Sequence, residues 1–272
     1  MSALSGSIRP PAVAGMFYPG SMNTLSTEVR DYLSHAVSVA ASAPKALIVP
    51  HAGYVYSGPV AASAYVCLGP VRASIRRVVL LGPTHRVAIR GLALPDAAAF
   101  DTPLGRVPLD VELVNAVKSL PQVRQSEAVH AMEHSLEVQL PFLQVALDEF
   151  SLLPLAVGMA SAEEVAEVLD RVWGGAETLI VISSDLSHYH SYAEAQRLDR
   201  ETAHQIVSLQ QLTDHEQACG ATPVNGLLVC ARRRGLKVQL LDLRNSGDTA
   251  GDRSRVVGYG AFAIHEATDN EQ

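Results

Sequence analysis

Residues 47–58 read LIVPHAGYVYSG, and the fold is organised around this stretch. Its opening apolar run is rich in β-branched residues, which is typical of a strand buried on both faces. The run stops at Pro50, so the sequence predicts that His51 lies just past the carboxyl end of a strand. Pro59 is then predicted to be the first residue of a small-residue helix over residues 60–68.

The same arrangement, a buried strand followed by a histidine, recurs twice. Residues 77–81 (RVVLL) run into GPTH, and residues 178–182 (TLIVI) run into SSDLSHYH. In a parallel α/β sheet the carboxyl ends of the strands share one edge, and ligands bind in the crevice outside that edge. The residues predicted to meet there are His51, His85, Asp185 and His188.

The order of the predicted elements indicates an α/β fold. A strand over residues 152–157, a helix opened by the capping box Ser161 to Glu164, and the strand at residues 178–182 form a βαβ unit. Residues 91–108 predict a hairpin carried on the main sheet. We therefore expect one domain over residues 1–272, with a central mixed, largely parallel sheet flanked by helices.

Composition restricts the classes of function. With 272 residues and 48% hydrophobic content the chain can bury a large core, and a net charge of -7 without a basic face argues against nucleic acid as a partner. No signal peptide is evident, and no apolar run approaches the roughly 20 residues that span a bilayer. The sequence predicts a cytoplasmic protein whose residues 1–7 fray.

Three cysteines without paired metal-type spacing argue against a disulfide scaffold. Cys67 and Cys230 fall inside apolar helices and are interpreted as packing residues. Cys219 falls in the bend before a helix, where the positive end of the helix dipole lowers a thiol pKa. The sequence therefore predicts a reactive thiolate at Cys219.

Residues 129–143 show helical spacing, although Pro141 is expected to kink or restart the helix. On one continuous helix Glu133 and Glu137 are four residues apart and His134 and Glu137 three, so their side chains share neighbouring faces. His134 and Glu137 are candidates for a metal or acid/base pair. Solvated helix faces produce the same pattern.

The histidines at the strand ends indicate a metal centre, because two imidazoles and one anion leave coordination positions open. His51 and His85 supply the nitrogens in this interpretation. His188 is assigned to proton transfer, with Asp185 orienting it. The anion is left open among Cys219, Asp185 and Glu137.

The loop after His51 places Tyr54 and Tyr56 where they could line a pocket, or act as structural aromatics. Nucleophilic serine chemistry is disfavoured, because no G-x-S-x-G elbow surrounds the candidate serines. Those serines are Ser57, Ser184 and Ser187.

Several motifs together resemble one protein family over most of the chain. They are PAVAGMFYP, PHAGYVYSGPVAASAY, LLGPTHR, EHSLEVQLPFL, ISSDLSHYH, ACGATPV and SGDTAGDRSRVVGYGAFAI. The chain is similar in these motifs to the Memo family, also called the AmmeMemoRadiSam system protein B family. The resemblance implies a fold like that of class III extradiol dioxygenases, with a metal at one edge of the sheet.

The resemblance also implies roles for particular residues. It assigns the metal ligands to His51, His85 and Cys219, and the acid and catalytic-type histidine to Asp185 and His188. The family carries a cysteine where active extradiol dioxygenases use a glutamate, which admits copper or zinc as well as Fe(II). Its name implies AMMECR1-type and radical SAM pathway partners.

The leading hypothesis is a mononuclear non-heme Fe(II) oxidoreductase acting on an unknown small substrate. Two alternatives stay open: a non-catalytic protein that grips a peptide or partner subunit in the same cleft, and a metal-assisted hydrolase that uses zinc.

Overall fold

The computed structural model describes residues 6–40 and 42–266. Twelve strands are found in this part of the chain. They are β1 (Ile8–Arg9), β2 (Ala46–Val49), β3 (Arg77–Pro83), β4 (Leu92–Leu94), β5 (Ala99–Thr102), β6 (Gly105–Pro108), β7 (Val123–Gln125), β8 (Ser151–Val157), β9 (Thr178–Ser183), β10 (His188–His190), β11 (Lys237–Asn245) and β12 (Val256–His265).

Eight α-helices connect the strands within the described residues. They are α1 (Met22–His35), α2 (Tyr54–Tyr65), α3 (Val111–Val117), α4 (Glu127–Ala131), α5 (Leu140–Ala146), α6 (Ala162–Arg171), α7 (Tyr192–Val207) and α8 (Ala221–Arg233). The predicted capping box of α6 is present: the Ser161 hydroxyl accepts from the Glu164 amide, and the Glu164 carboxylate accepts from the Ser161 amide.

The main sheet has the strand order β10-β12-β2-β9-β3-β8-β4-β7, with β11 paired to β12. The four central strands β2, β9, β3 and β8 run parallel, whereas β12 and β4 are antiparallel to β2 and β8. The mixed, largely parallel sheet of the predicted α/β class is confirmed.

Every residue of β2 and β9 is buried. Successive side chains of a strand point to opposite faces, so both faces of the sheet are covered at its centre. Helices α1, α2 and α5 pack on one another, and α2 contacts β2 and β12. Helices α6 and α8 pack together, and α8 contacts β3 and β9.

The predicted hairpin at residues 91–108 is only partly correct. Strands β5 and β6 do form an antiparallel hairpin, but they belong to a separate three-stranded sheet with β1, and β4 alone joins the main sheet. The reason is a long-range pairing: β1 runs parallel to β5 and covers its free edge. A pattern in a short window of sequence does not reveal pairings between strands that are far apart in the chain.

The predicted start of the second helix is wrong by several residues. Helix α2 begins at Tyr54 and contains Pro59. Its first turn is held by the N-terminal segment, since the Tyr54 amide donates to the Phe17 carbonyl at 2.7 Å. The hydrogen bond that Pro59 cannot donate would go to the carbonyl of Val55, which is an exposed residue.

The expected helix over residues 129–143 is broken into α4, a loop with turns at residues 132–136, a 3-10 turn (Glu137–Gln139) and α5. Pro141 lies in the first turn of α5, as a restart requires. The Glu133 carboxylate accepts hydrogen bonds from the amides of His134 and Ser135. Such local capping competes with the helix, so the predicted spacing on one helix face does not exist.

Two expectations concern the chain ends and membranes. Residues 1–5 of the expected flexible start lie outside the described residues, whereas the Ser7 carbonyl accepts from the Ala98 amide at 2.8 Å. Within the described ranges, none of the helices combines the length and the apolar character needed to cross a bilayer.

Candidate metal centre

The site lies where three neighbouring parallel strands end. His51 follows β2, Asp185 follows β9 and His85 follows β3, each at the second residue after its strand. Because β9 lies between β2 and β3, these side chains emerge side by side. His134 reaches the same place from the loop at residues 132–136.

The imidazoles of His51, His85 and His134 form one cluster, named here the triple-imidazole centre. One donor atom from each ring can be chosen so that all three lie within 4.8 Å of one another. The ring centroids are 5.2 Å apart for His51 and His85, and 4.6 Å apart for His85 and His134. This group could hold a metal ion.

The hydrogen bonds around His51 determine which of its nitrogens is free. The Ser183 hydroxyl donates to the Ser135 carbonyl at 2.6 Å and accepts from the Gln139 amide at 2.7 Å. Its single hydrogen is therefore used, so His51 Nδ1, at 2.9 Å, must donate to it. Nε2 of His51 is left with a lone pair that faces the other rings.

The orientation of the Gln139 amide supports this assignment. Its oxygen accepts from the Tyr65 hydroxyl at 2.8 Å, and its nitrogen also donates to the Pro50 carbonyl at 2.9 Å. A flipped amide would place two acceptors together. The buried chain from Tyr65 to His51 thus has one consistent pattern of donors and acceptors.

His85 is oriented by a carboxylate. Its Nδ1 lies 2.9 Å from Glu133 Oε1, and Glu133 also accepts from the amides of His85 and Ser135. Burial raises the pKa of Glu133, but these hydrogen bonds outweigh it and bring the pKa down to about 2. The ionised carboxylate keeps the proton of His85 on Nδ1, an arrangement common behind metal-bound histidines.

The imidazoles of His51 and His134 are neutral at pH 7. Burial, followed by the charge of His85, lowers the pKa of His51 to about 3. Burial and the charges of His51 and His85 lower that of His134 to about 4. Neutral imidazole is the form that binds metal ions.

Cys219 lies against this centre, with its sulfur 3.4 Å from His51 Nε2. The expected lowering of its pKa is not found: burial and the nearby Asp185 carboxylate raise the thiol pKa. The helix start also has other partners, since the Gly220 amide donates to the Ser184 hydroxyl at 3.0 Å. A bound cation would reverse this balance, because a coordinated thiol is deprotonated.

Asp185 is buried beside His51. Its Oδ1 accepts from the His51 backbone amide at 2.7 Å, and its Oδ2 is 4.0 Å from His51 Nε2. Burial raises the pKa of Asp185, and the charge of His188 opposes that rise. In the described part of the chain we find no hydrogen bond between Asp185 and His188, so their coupling is electrostatic.

Of the residues considered for the pocket, Tyr54 and Glu137 have hydrogen-bond partners elsewhere, and Tyr56 lies at the surface. Tyr54 is buried, and its hydroxyl donates to the Val138 carbonyl at 2.7 Å. Tyr56 lies on α2 and is partly exposed. Both carboxylate oxygens of Glu137 accept hydrogen bonds, from Arg9 and from residues 12–18.

Sequence reasoning missed the roles of Glu133 and Ser183. Glu133 precedes His134 directly, but the assumed continuous helix drew attention to Glu137 instead. Ser183 opens the SSDLSHYH stretch after the predicted strand, and the sequence assigns it no role. Only the tertiary structure places each of them at the Nδ1 atom of a histidine.

The fold and this site together define a class: α/β proteins with a histidine cluster, able to hold a metal ion, at the carboxyl edge of a parallel sheet. Within this class the comparison with known proteins is specific. A model of the Memo-like protein family matches residues 9–263, and the chain belongs to this family.

Relatives from distant organisms cover nearly the whole chain. A MEMO1 family protein of Aquifex aeolicus is 37% identical over 271 residues, covering 93% of this chain and 97% of that protein. One from Archaeoglobus fulgidus is 34% identical over 272 residues, covering 94% and 99%. The family resemblance predicted from the motifs is confirmed.

The crystal structure of uncharacterized protein JW3007 from Escherichia coli K12 aligns with a TM-score of 0.46 and 15% identity, covering 79% of this chain and 98% of that one.

Proposed function

We propose that this protein is a mononuclear Fe(II) oxidoreductase acting on a small substrate. One observation carries the proposal: three imidazoles offer donor atoms within 4.8 Å of one another. Two of these rings are held through Nδ1 by Ser183 and Glu133, which leaves Nε2 available. Oriented, neutral imidazoles with such partners are typical of metal sites.

The proposed ligands are the three histidines of the triple-imidazole centre, with Cys219 as a further ligand. The short distance between the Cys219 sulfur and His51 Nε2 supports a shared ion. Imidazole and thiolate donors suit iron, copper and zinc. Fe(II) is favoured by the kinship with class III extradiol dioxygenases that family membership implies, and it would supply redox chemistry when bound.

His188 is proposed to move protons beside the ion. It lies on β10 and is partly exposed, and its charge lowers the pKa of both His51 and Asp185. A histidine that is accessible to substrate and electrostatically coupled to a buried carboxyl suits general acid/base work. Asp185, anchored on the His51 backbone amide, would stabilise the protonated form of His188.

Elemental analysis of anaerobically purified protein tests the ligands. We expect about one iron per chain in the parent protein, and a large loss in His51→Ala, His85→Ala and His134→Ala. His204→Ala is the matched control, because His204 is exposed on α7. Full metal content in both His51→Ala and His85→Ala would show that the ligand assignment is wrong.

Oxygen uptake with candidate catechols tests the chemistry separately. We expect uptake that depends on iron and is reduced at least about hundredfold in His188→Ala, as for a lost general acid or base. His190→Ala, two residues away on the same strand, is the control. Uptake unchanged in His188→Ala would contradict its assigned role.

A metal-assisted hydrolase is the second candidate, and the three-histidine donor set favours it, since three imidazoles bind the zinc of carbonic anhydrase. Turnover with zinc in the absence of oxygen would support this candidate against the first. The AMMECR1-type and radical SAM partners remain a proposal from the family name.

A further inference from the structure

A cleft of about 510 Å³ opens beside the triple-imidazole centre. It is lined by residues 83–89, by residues 157–159, and by His215 and Cys219. His85 and Cys219 are shared between the cleft and the candidate metal centre. A small molecule in this cleft would therefore reach the proposed ion from one side, and the volume is in the range of small-molecule sites.

None of the residues that line the cleft is an Asp or a Glu. Arg86 brings a permanent positive charge, and Thr84 brings a hydroxyl. The His215 Nδ1 lies 3.1 Å from the Cys219 carbonyl, so this nitrogen donates. The cleft thus has no acidic lining residue, although the chain as a whole has 28 acidic and 21 basic residues.

Arg86 differs in this respect from Arg72, which lines a larger cleft elsewhere on the molecule. That cleft, of about 970 Å³, contains both acids and arginines, and Arg72 there is paired with Asp148 at 2.9 Å. Across the described ranges we find no ion pair for Arg86. Its charge is therefore available to a ligand.

The rest of the cleft is apolar. Val87, Ile89 and Val157 line it, and Met159 is 67% exposed at its side. An exposed methionine beside branched aliphatic side chains favours contact with an apolar ligand surface. The lining thus matches a molecule with an apolar body and a negatively charged group.

We propose that this cleft binds an organic anion, a carboxylate or a phosphate ester on an apolar body, with the anionic group against Arg86. The guanidinium group suits both kinds of anion, because its donors match their paired oxygens. The inference rests on the proposed function for one feature only: the reacting end of the substrate faces His85 and Cys219.

Calorimetric titration of the purified protein, with its metal content measured, tests the anion site. The probes are benzoate, phenyl phosphate and the neutral analogue benzamide. We expect at least one of the two anions to bind about tenfold or more tightly than benzamide, and Arg86→Gln to abolish that difference. Arg86→Lys should retain part of it, because the charge remains.

Arg90→Gln is the matched control, since it removes an arginine four residues away that is already paired with Glu164 at 3.2 Å. The relative response to benzoate and phenyl phosphate distinguishes the two anion classes. If Arg86→Gln binds both anions as tightly as the parent protein does, the ion alone holds them and the Arg86 site is refuted.

The two proposals fail in different ways. If the purified protein contains no metal, the proposed metalloenzyme is refuted. The anion site is still tested in that case, because Arg86→Gln and the parent protein can be compared in the same titration. Metal at full occupancy with no preference for anions over benzamide refutes the Arg86 site and leaves the metal centre standing.

Discussion

At the scale of single residues, the chemistry depends on which nitrogen of each histidine carries a proton. His51 and His85 both donate through Nδ1, one to a hydroxyl and the other to a carboxylate. Each partner is itself held by further hydrogen bonds, so the ring has one favoured tautomer. The sequence indicates the histidines, because they follow buried strands, but not the partners that orient them.

Ser183→Ala should weaken metal binding about tenfold or more, because it removes the acceptor for His51 Nδ1–H. It should also allow the other tautomer, which long-range proton–nitrogen NMR of the metal-free protein would detect. The lost hydrogen bonds should cost about 1–3 kcal/mol in the free energy of unfolding.

Ser57→Ala is the control for Ser183→Ala. Ser57 is equally buried and donates to the Ala52 carbonyl at 2.8 Å, but it has no bond to an imidazole. This variant should lose stability while keeping the tautomer and the metal affinity. Unchanged metal affinity in Ser183→Ala would contradict the positioning role of its hydroxyl.

At the scale of elements, the interrupted helix between α4 and α5 is what brings His134 to the site. Arg9, on β1, stabilises the segment between α4 and α5. It donates to the carbonyls of His130 and Glu133 and to the carboxylate of Glu137. Glu137 accepts in turn from the Tyr18 hydroxyl at 2.6 Å. A window of helical spacing cannot reveal this, because the partners are more than a hundred residues away.

Arg9→Met should destabilise the protein by about 3–5 kcal/mol, because it leaves the carboxylate of Glu137 buried without its cation. It should also weaken metal binding, since the backbone beside His134 loses its anchor. Chemical denaturation and metal titration measure the two effects.

The double variant Arg9→Met, Glu137→Gln should recover part of the stability, because no unpaired charge remains. Arg197→Met is the control: its pair with Glu194 is exposed to solvent and should contribute little to stability. An equally small effect of Arg9→Met would show that the buried pair does not anchor this segment.

In the whole molecule, strand β12, the loop after β9 and helix α7 meet at one buried carboxyl group, that of Asp199. Asp199 on α7 accepts from the Ser187 amide at 3.0 Å, and Ser187 precedes His188. A Cβ atom on Gly258 of β12 would lie 2.1 Å from Asp199 Oδ2, so only glycine permits this approach. Burial raises the pKa of Asp199 from 3.8 to about 6.

The pKa of Asp199 predicts how stability depends on pH. Between pH 4 and pH 6 the folded state binds the proton more tightly than the unfolded chain, so this group's contribution to stability is lost as pH rises. Asp199→Asn should remove that loss. From pH 4 to pH 7, the unfolding free energy of the variant should therefore rise relative to that of the parent protein by up to about 3 kcal/mol.

Urea unfolding of both proteins at several pH values measures this difference. Asp31→Asn, at an exposed carboxyl on α1, is the control for the loss of one carboxylate. A constant difference between Asp199→Asn and the parent protein from pH 4 to pH 7 would contradict the raised pKa.

The parallel strands, and the polar residues that follow them, could be predicted from the order of the amino acids. An apolar run of β-branched residues has few alternatives to a buried strand, and parallel strands bring their carboxyl ends to one edge. His51, His85 and Asp185 could therefore be placed before any coordinates.

The remaining parts of the site depend on contacts between distant segments of the folded chain. The interrupted helix that brings in His134, the partners of each Nδ1, and the burial that raises the Cys219 pKa all depend on residues far apart in the chain. Local spacing reflects local energies, whereas proton positions and pKa values reflect the surroundings that the whole fold assembles.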